Sequence, residues 1–207
     1  MVKLHETVYE RMSIMAKFQI NYEALDADEN KKNGIPYEEF LEWSETIIFA
    51  FFAVILVFTF LLRLANVDGE SMVPTLQDGE KLIVHHLFYT PEKGDIVIVD
   101  SKSLGKPIVK RVIAQGGDQV DIDFESGTVK VNGEVLQESY INDLTQLDEG
   151  AFDYPVTVPE GNYFVMGDNR MHSADSRSSK IGFIPADEIV GKVVFRIWPM
   201  ERIGSVS

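Results

Sequence analysis

The strongest pattern of hydrophobic and polar positions is an apolar run from Ile47 to Leu62, in which Thr59 is the only polar residue. A helix formed by this run would be apolar on every face, unlike a helix that covers one side of a core. Sixteen to twenty helical residues span roughly 24 to 30 Å, the short end of the range for the hydrocarbon layer of a membrane. Because a long arm precedes the run, a cleavable signal peptide is disfavoured, and we predict a transmembrane anchor at residues 46–65.

The arm in front of the anchor, residues 1–45, is acidic and repeats apolar residues at helical spacing from Leu4 to Leu25. The pattern breaks at the polar segment 26–34, so it predicts one amphipathic helix. Such a helix can fold on its neighbours, lie on the membrane or dock a partner, and the sequence does not distinguish these roles or identify a partner. Lysine and arginine counts favour a cytoplasmic arm, with the remainder of the chain on the extracytoplasmic side.

Residues 66–207 have a different pattern, in which short runs of β-branched residues alternate with Gly, Pro, Asp and Asn. Such runs are typical of antiparallel strands, and Asn132-Gly133 between two of them predicts a tight hairpin. The acidic segment 139–155 lacks periodicity and predicts a long excursion from the sheets. We therefore expect a mainly β domain of two antiparallel sheets, with strands at 81–87, 95–100, 107–114, 119–122, 128–131, 163–166 and 190–198.

The composition of the chain excludes several kinds of partner and catalytic site. The formal net charge is -14 and the basic residues form no stripe, so we expect no nucleic-acid partner. The chain has no cysteine, which excludes disulfides, thiolate metal sites and a cysteine nucleophile. His5, His85, His86 and His172 lie in no His-Glu-x-x-His or Gly-x-Ser-x-Gly context, so neither zinc nor a histidine triad is indicated, although His172 adjoins a serine-rich loop.

An amide-cleaving site without these groups can use a serine with a lysine kept neutral by burial. Lowering the pKa of a lysine from about 10.4 to near 7 costs roughly 4 to 5 kcal/mol, so the lysine needs apolar surroundings. Lys110 lies on a strand face with Ile108 and Val112, whereas Arg111 faces the other way. Alternation alone does not decide which cation is buried, but only the lysine can be deprotonated. A Ser-x-x-Lys motif at 103–106 is attributed to chance, because it lies in a hydrophilic loop without the motifs that normally accompany it.

The segment Gly69–Leu76 (GESMVPTL) directly follows the apolar run. Further along the chain, in order, come Gly94–Val97, Lys110–Asp118 and Gly167–Arg177, followed by Gly182–Pro185 and Val190–Lys192. The first four segments, in this order, resemble the sequence boxes of bacterial type I signal peptidases, in the single-anchor form of Gram-positive bacteria, and Gly69–Leu76 is similar to the serine box of that family. The resemblance extends over residues 67–199.

The resemblance implies that Ser71 is the nucleophile and Lys110 the general base, with the Ser71 N–H serving the oxyanion. It also implies that Ser173 orients the lysine by a hydrogen bond and that Asp175 and Arg177 form a supporting ion pair. The family's substrates are cut after small residues, commonly Ala-x-Ala, in an extended peptide that would add as a strand beside the lysine. By position in the boxes, we expect the substrate cleft to be lined by Val67, Met72, Leu76, Ile108 and Val109.

One departure from the family pattern concerns the oxyanion hole. Where some relatives carry a serine two residues before the nucleophile, this chain has Gly69, so no hydroxyl assists there. One such donor is worth about 3 to 4 kcal/mol in serine proteases, so a backbone N–H or a water molecule must compensate. The amino-terminal arm also lies outside the resemblance.

The protein so implied is a single-pass endopeptidase of the bacterial cytoplasmic membrane with no metal or organic cofactor. Its partners would be signal-peptide-bearing preproteins and the lipid bilayer. Alternatives are a peptidase specialised for few substrates, such as pilin precursors, and an inactive membrane-tethered domain that binds peptides. A self-cleaving Ser/Lys repressor is a further rival, but the chain has no cleavable Ala-Gly or Cys-Gly bond.

Overall fold

The structure of the protein is a computed structural model that describes residues 37–206. The predicted amphipathic helix of the arm lies outside these residues. Two short 3-10 turns occur at Ala186–Glu188 and Met200–Arg202. The other described elements are helix α1 (Tyr37–Leu61) and strands β1 (Leu62–Asn66), β2 (Lys81–His85), β3 (Ile96–Ser101), β4 (Lys106–Gln115), β5 (Gln119–Asp123), β6 (Thr128–Val131), β7 (Glu134–Val135), β8 (Val156–Thr157), β9 (Asn162–Met166), β10 (Ile184–Pro185), β11 (Ile189–Trp198) and β12 (Gly204–Ser205).

Helix α1 carries the apolar run. Its successive residues Ile47, Ile48 and Phe49 are 62%, 66% and 76% exposed. Consecutive helical residues point about 100° apart, so these side chains cover several faces of the helix. No helix within residues 37–206 combines the length and the apolarity that a membrane crossing requires. The helix ends at Leu61, and residues 62–65, which we predicted as part of the anchor, belong to β1 because the backbone there pairs with β2.

The described strands form two antiparallel sheets, as predicted. The larger sheet has the order β1-β2-β11-β3-β4-β9-β10, with β12 paired to β11. The smaller sheet has the order β7-β6-β5-β8. The predicted hairpin joins β6 to β7, and its two turn residues, Asn132 and Gly133, have φ of 54° and 82°. These are the left-handed conformations that a two-residue type I′ turn requires.

Strand β4 is buried on both faces from Lys110 to Ala114. Its neighbouring residues Val112 and Ile113 belong to two different apolar clusters, because successive residues of a strand face opposite ways. Lys110 and Arg111 follow the same alternation, and each is only 3% exposed. These two cations are therefore removed from water, unlike Lys106 at the start of the strand, which is exposed.

The predicted excursion, residues 139–155, packs back onto the β domain through aromatic side chains. Phe152 stacks on Phe183 with 4.3 Å between ring centroids, and Tyr154 meets Phe164 edge-on at 6.4 Å. These rings cover the apolar cluster that contains Ile113. The excursion is thus an integral part of the domain and contributes buried apolar area to it.

Candidate active site

Ser71 lies in the turn between β1 and β2. Gly69 has φ of 92°, in the left-handed region that favours glycine, and its N–H donates to Asp78 Oδ1 at 2.8 Å. The Val73 N–H donates to the Glu70 carbonyl at 3.1 Å, which closes the turn around the serine. A serine at position 69 would be strained in this backbone conformation.

Lys110 reaches Ser71 from β4. Its Nζ lies 2.7 Å from Ser71 Oγ and donates a second hydrogen bond to the Val109 carbonyl at 2.9 Å. The two side chains come from positions 39 residues apart in the sequence. A contact of this length lets a proton pass directly between the hydroxyl and the amine.

Burial lowers the pKa of Lys110 to about 8. Loss of hydration is the largest cause, because it disfavours the ammonium form. The carboxylates of Asp175 and Asp168 act in the opposite direction, whereas Arg177 and Lys106 lower the lysine pKa further. About half of the molecules therefore carry a neutral lysine near pH 8.

Asp175 is fully buried and organises the loop after β9. Its Oδ2 accepts hydrogen bonds from Ser173 Oγ at 2.8 Å and from the Gly167 N–H at 2.9 Å. Arg177 donates to both carboxylate oxygens at 2.9 Å, so this ion pair is a buried one. Loss of hydration would raise the pKa of Asp175, but the hydrogen bonds, above all from Arg177, bring that pKa below its ordinary value. The Ser173 hydroxyl donates to this carboxylate, and the hydrogen bond between Ser173 and Lys110 that the resemblance implies stays a prediction.

Gly167, directly after β9, is a point where the backbone comes close to the Ser71 turn. A Cβ atom at this position would overlap Ser173 Oγ and the Ser71 carbonyl oxygen. Glycine is therefore needed for close approach of two backbones, although its φ is not in the left-handed region. This contact fixes the distance between the nucleophile turn and the loop that carries Asp175.

An apolar cleft of about 480 Å³ opens beside Ser71 and Lys110. Leu76, one of the residues predicted to line it, is instead fully buried in an apolar cluster. The cause is the turn that follows Ser71, in which the Leu76 N–H donates to the Met72 carbonyl at 2.9 Å and the side chain packs inward. The other predicted cleft residues do line it: Val67, Met72, Ile108 and Val109.

The cleft is bordered by two strands with open edges. Strand β4 pairs with β9 only from Arg111 to Gln115, so among the described residues its outer edge at 106–110 has no partner strand. Strand β1 is the last strand of the larger sheet, and residues 63–66 of β1 line the cleft opposite residues 106–110 of β4. An extended peptide can add to such an edge through main-chain hydrogen bonds.

Comparison with known proteins decides the family. The family described as "Signal peptidase, peptidase S26" matches residues 40–198. The chain belongs to this family. The probable signal peptidase I-2 of Synechocystis sp. is 35% identical over 86% of this chain and 82% of that protein. The signal peptidase I of Bacillus licheniformis is 39% identical over 84% of this chain and 94% of that protein. A solved structure of a signal peptidase I from Enterococcus faecalis V583 is 32% identical, with a TM-score of 0.44, covering 51% of this chain and 97% of that chain.

This member of the signal peptidase family contains a buried ion pair that the sequence analysis did not assign. Arg111 donates to the two carboxylate oxygens of Asp168 at 2.9 and 2.8 Å, and Thr75 Oγ1 donates to the same carboxylate at 2.5 Å. One carboxylate thus connects the Ser71 turn, the Lys110 strand and the loop after β9. Two positions in the sequence could have indicated this ion pair. Arg111 directly follows Lys110, and Asp168 lies in the segment Gly167–Arg177, which resembles the last sequence box of the family.

A second buried ion pair that was not predicted joins Arg170, in the loop after β9, to Glu138, which directly precedes the excursion. Arg170 is fully buried and donates to both oxygens of Glu138, at 3.0 and 2.5 Å. Its Nε donates to the Gly167 carbonyl at 3.0 Å, and the Tyr140 ring lies 6.0 Å from its guanidinium. No local pattern in the sequence indicates this contact, because its two sides are 32 residues apart.

His172 and Ser103, which the sequence offered as other catalytic groups, take no part in the Ser71–Lys110 contact. His172 Nδ1 is 3.3 Å from Asn169 Oδ1, and in the part of the chain that the structure describes His172 forms no hydrogen bond to Ser71 or Lys110. In the Ser-x-x-Lys motif, Ser103 Oγ is 3.0 Å from Ser101 Oγ. The motif does not form a Ser–Lys contact among residues 37–206.

Proposed function

We propose that the chain removes signal peptides from exported preproteins, with Ser71 as the nucleophile and Lys110 as the general base. The observation that carries this proposal is the 2.7 Å contact between Lys110 Nζ and Ser71 Oγ at a buried position. Membership of the signal peptidase family supports the reaction and the substrate class. The lowered pKa of the lysine supports its role as a base near neutral pH.

In the proposed reaction, neutral Lys110 takes the hydroxyl proton as Ser71 Oγ bonds to the scissile carbonyl carbon. The carbonyl oxygen becomes an oxyanion and accepts a hydrogen bond from the Ser71 N–H. Cleavage of the C–N bond follows, and the lysine ammonium gives its proton to the leaving amine. Water then attacks the acyl ester while Lys110 takes a water proton, and the lysine returns that proton to Ser71 Oγ as the signal peptide leaves.

The preprotein would bind as an extended strand along the open edge of β4. Main-chain hydrogen bonds to residues 106–110 would place its scissile bond beside Ser71. The apolar cleft walls suit small side chains before the cut, in line with the expected Ala-x-Ala pattern. No metal or organic cofactor enters this mechanism.

We propose that the apolar run Ile47–Leu62 nevertheless anchors the enzyme in the bacterial cytoplasmic membrane, although no helix within residues 37–206 reaches the length and apolarity of a full crossing. The apolar run from Ile47 and the exposed side chains around the helix support this role. The β domain would then face the extracytoplasmic side, with residues 1–45 in the cytoplasm. Digestion of intact spheroplasts by an added protease tests this arrangement: loss of the β domain supports it, whereas full protection or release of the enzyme by alkaline carbonate contradicts it.

The activity is tested with a labelled signal-peptide substrate and full-length protein in detergent. Wild type should cut after a small residue, and Ser71→Ala and Lys110→Met should each lose activity by at least about 10³-fold. Ser103→Ala and Lys130→Met are matched controls, because they remove a serine and a lysine outside the site. If activity survives Lys110→Met, the base is elsewhere and His172 becomes the suspect.

A panel of precursors separates the remaining alternatives. A peptidase specialised for few substrates, such as pilin precursors, would cut only those members of the panel. An inactive peptide-binding domain would cut none of them. The Ser71–Lys110 contact favours the active enzyme over the inactive domain.

A further inference from the structure

Asn169 holds the main chain on both sides of Ser71. Its side-chain Nδ2 donates to the Glu70 carbonyl at 3.1 Å. Its backbone N–H donates to the Ser71 carbonyl at 3.0 Å. The two peptide groups that flank the nucleophile are therefore held by one residue from the loop after β9.

The orientation of the Glu70 carbonyl determines where the Ser71 N–H points. In a planar trans peptide, the C=O and the N–H of one group point in opposite directions. Among residues 37–206 the Ser71 N–H has no hydrogen-bond acceptor, so it is available to a reacting carbonyl oxygen. Because Gly69 supplies no hydroxyl, this N–H carries more of the oxyanion stabilisation than it would beside a serine.

We infer that Asn169 is a positioning residue for the oxyanion hole, which acts through the Glu70 carbonyl to aim the Ser71 N–H at the oxyanion. The residue is itself well held, since its neighbours Asp168 and Arg170 are fully buried in ion pairs. An oxyanion donor lowers the barrier only when its direction is fixed before the reaction. The side-chain hydrogen bond of Asn169 supplies part of that fixed direction, and the Val73 N–H, which donates to the same Glu70 carbonyl at 3.1 Å, supplies the rest.

His172 contacts the side-chain amide of Asn169. Its Nδ1 lies 3.3 Å from Asn169 Oδ1, and its backbone N–H donates to the Asn169 carbonyl at 3.1 Å. A proton on Nδ1 would be donated to the amide oxygen, which leaves the amide nitrogen facing Glu70. In that tautomer, His172 would support the hydrogen bond to Glu70 indirectly, through the asparagine.

The inference rests on the proposed function and predicts a distinct kinetic signature. Substrate binds through the cleft and the β4 edge, whereas the oxyanion exists only along the reaction path. Asn169→Ala should therefore lower kcat about 10- to 100-fold, somewhat less than the about 10²- to 10³-fold cost of losing a donor outright. KM should change by less than about twofold.

The test compares two inhibitors of full-length wild type and Asn169→Ala in detergent. A peptide aldehyde ending in alanine forms a hemiacetal with Ser71 Oγ, and its former carbonyl oxygen occupies the oxyanion position. The matching product peptide forms no such bond. Aldehyde inhibition should weaken by the same factor as kcat, while product inhibition and the pH dependence set by Lys110 stay unchanged.

Asn132→Ala is the matched control, because this asparagine also makes two side-chain hydrogen bonds, to Gln119 and Asp118, but in the smaller sheet. It should lower thermal stability and leave kcat unchanged. An unchanged kcat in folded Asn169→Ala, or equal weakening of both inhibitors, would overturn the inference.

A second variant keeps the inference testable if Asn169→Ala does not fold. Asn169→Asp preserves the size of the side chain and the acceptor for His172 but cannot donate to Glu70. Its kcat is compared with wild type on the alkaline plateau, where any change in the lysine pKa no longer matters, and the same outcomes apply. A wild-type enzyme that cuts no signal-peptide substrate would contradict the proposed function instead.

Discussion

Replacement of Lys110 by methionine should produce an inactive enzyme that is more stable than wild type below pH 8. Burial lowers the pKa of this lysine from 10.5 to about 8, so the folded protein disfavours an ammonium that the unfolded chain carries freely. The fall corresponds to about 3 kcal/mol, at 1.36 kcal/mol for each tenfold change in the proton equilibrium. Methionine fills a similar volume without this penalty, and the lost hydrogen bond to Ser71 offsets about 1 kcal/mol of the gain.

The sign of the pH dependence follows from proton binding. Between pH 8 and 10.5 the unfolded chain binds a proton that the folded protein has released, so the free energy of unfolding of wild type rises with pH. Lys110→Met lacks this rise. The variant should therefore be more stable by about 2 kcal/mol at low pH, and its advantage should disappear as the pH approaches 10.5.

Urea unfolding of the full-length protein in detergent, followed by tryptophan fluorescence from about pH 6.5 to about pH 10.5, measures this difference. Lys130→Met controls for the loss of one surface lysine. A stability difference that stays constant over the whole range would refute the reasoning, since it would mean that Lys110 keeps its proton when folded. The kcat/KM of wild type should independently rise about tenfold per pH unit up to about pH 8 and then level off.

Three further substitutions test the surroundings of Ser71 and Lys110. Gly167→Ala should reduce kcat by about 10²-fold or more, because the added methyl displaces the Ser71 carbonyl, and a variant with wild-type turnover would contradict this. Asp175→Asn should move the acid limb of the pH profile to lower pH, because this carboxylate raises the lysine pKa, and an upward shift would disprove the assignment. Glu138→Ala should lower the free energy of unfolding by about 3 to 5 kcal/mol in urea titrations, because it leaves the buried Arg170 without its carboxylate partner. The exposed Glu134→Ala is the control, and similar losses in both variants would argue against the pairing of Arg170 with Glu138.

Much of the β domain could be predicted from the alternation of apolar and polar residues, because buried strands separate clearly from their turns. The Asn132-Gly133 hairpin could also be predicted, because few residues other than these adopt the backbone conformation of its turn. Strand β1 could not be predicted, because Leu62 continues the apolar run of the preceding helix. Only its pairing with β2, about twenty residues further along, decides that these residues are extended.

In the site, too, features set by neighbouring residues could be predicted, whereas features set by residues distant in the sequence could not. The motif around Ser71 and the apolar strand of Lys110 are local features, and both were read from the sequence. Burial of Arg111 on the opposite face depends on Asp168, which is 57 residues away, so alternation could not reveal it. Leu76 was placed in the cleft by its position in the motif, but the turn after the serine directs it into the core.

The open edge of β4 has a consequence for the range of sequences that one enzyme can process. Every polypeptide offers the same backbone C=O groups and, except at proline, the same N–H groups, so a preprotein bound along this edge as proposed would be recognised with little regard to residue identity. In an extended chain only alternate side chains would face the cleft wall, and those between them would point away and be free to vary. A precursor that remains helical up to its cleavage point keeps these backbone groups bonded internally, so in this binding mode it would have to unwind there before it could be cut.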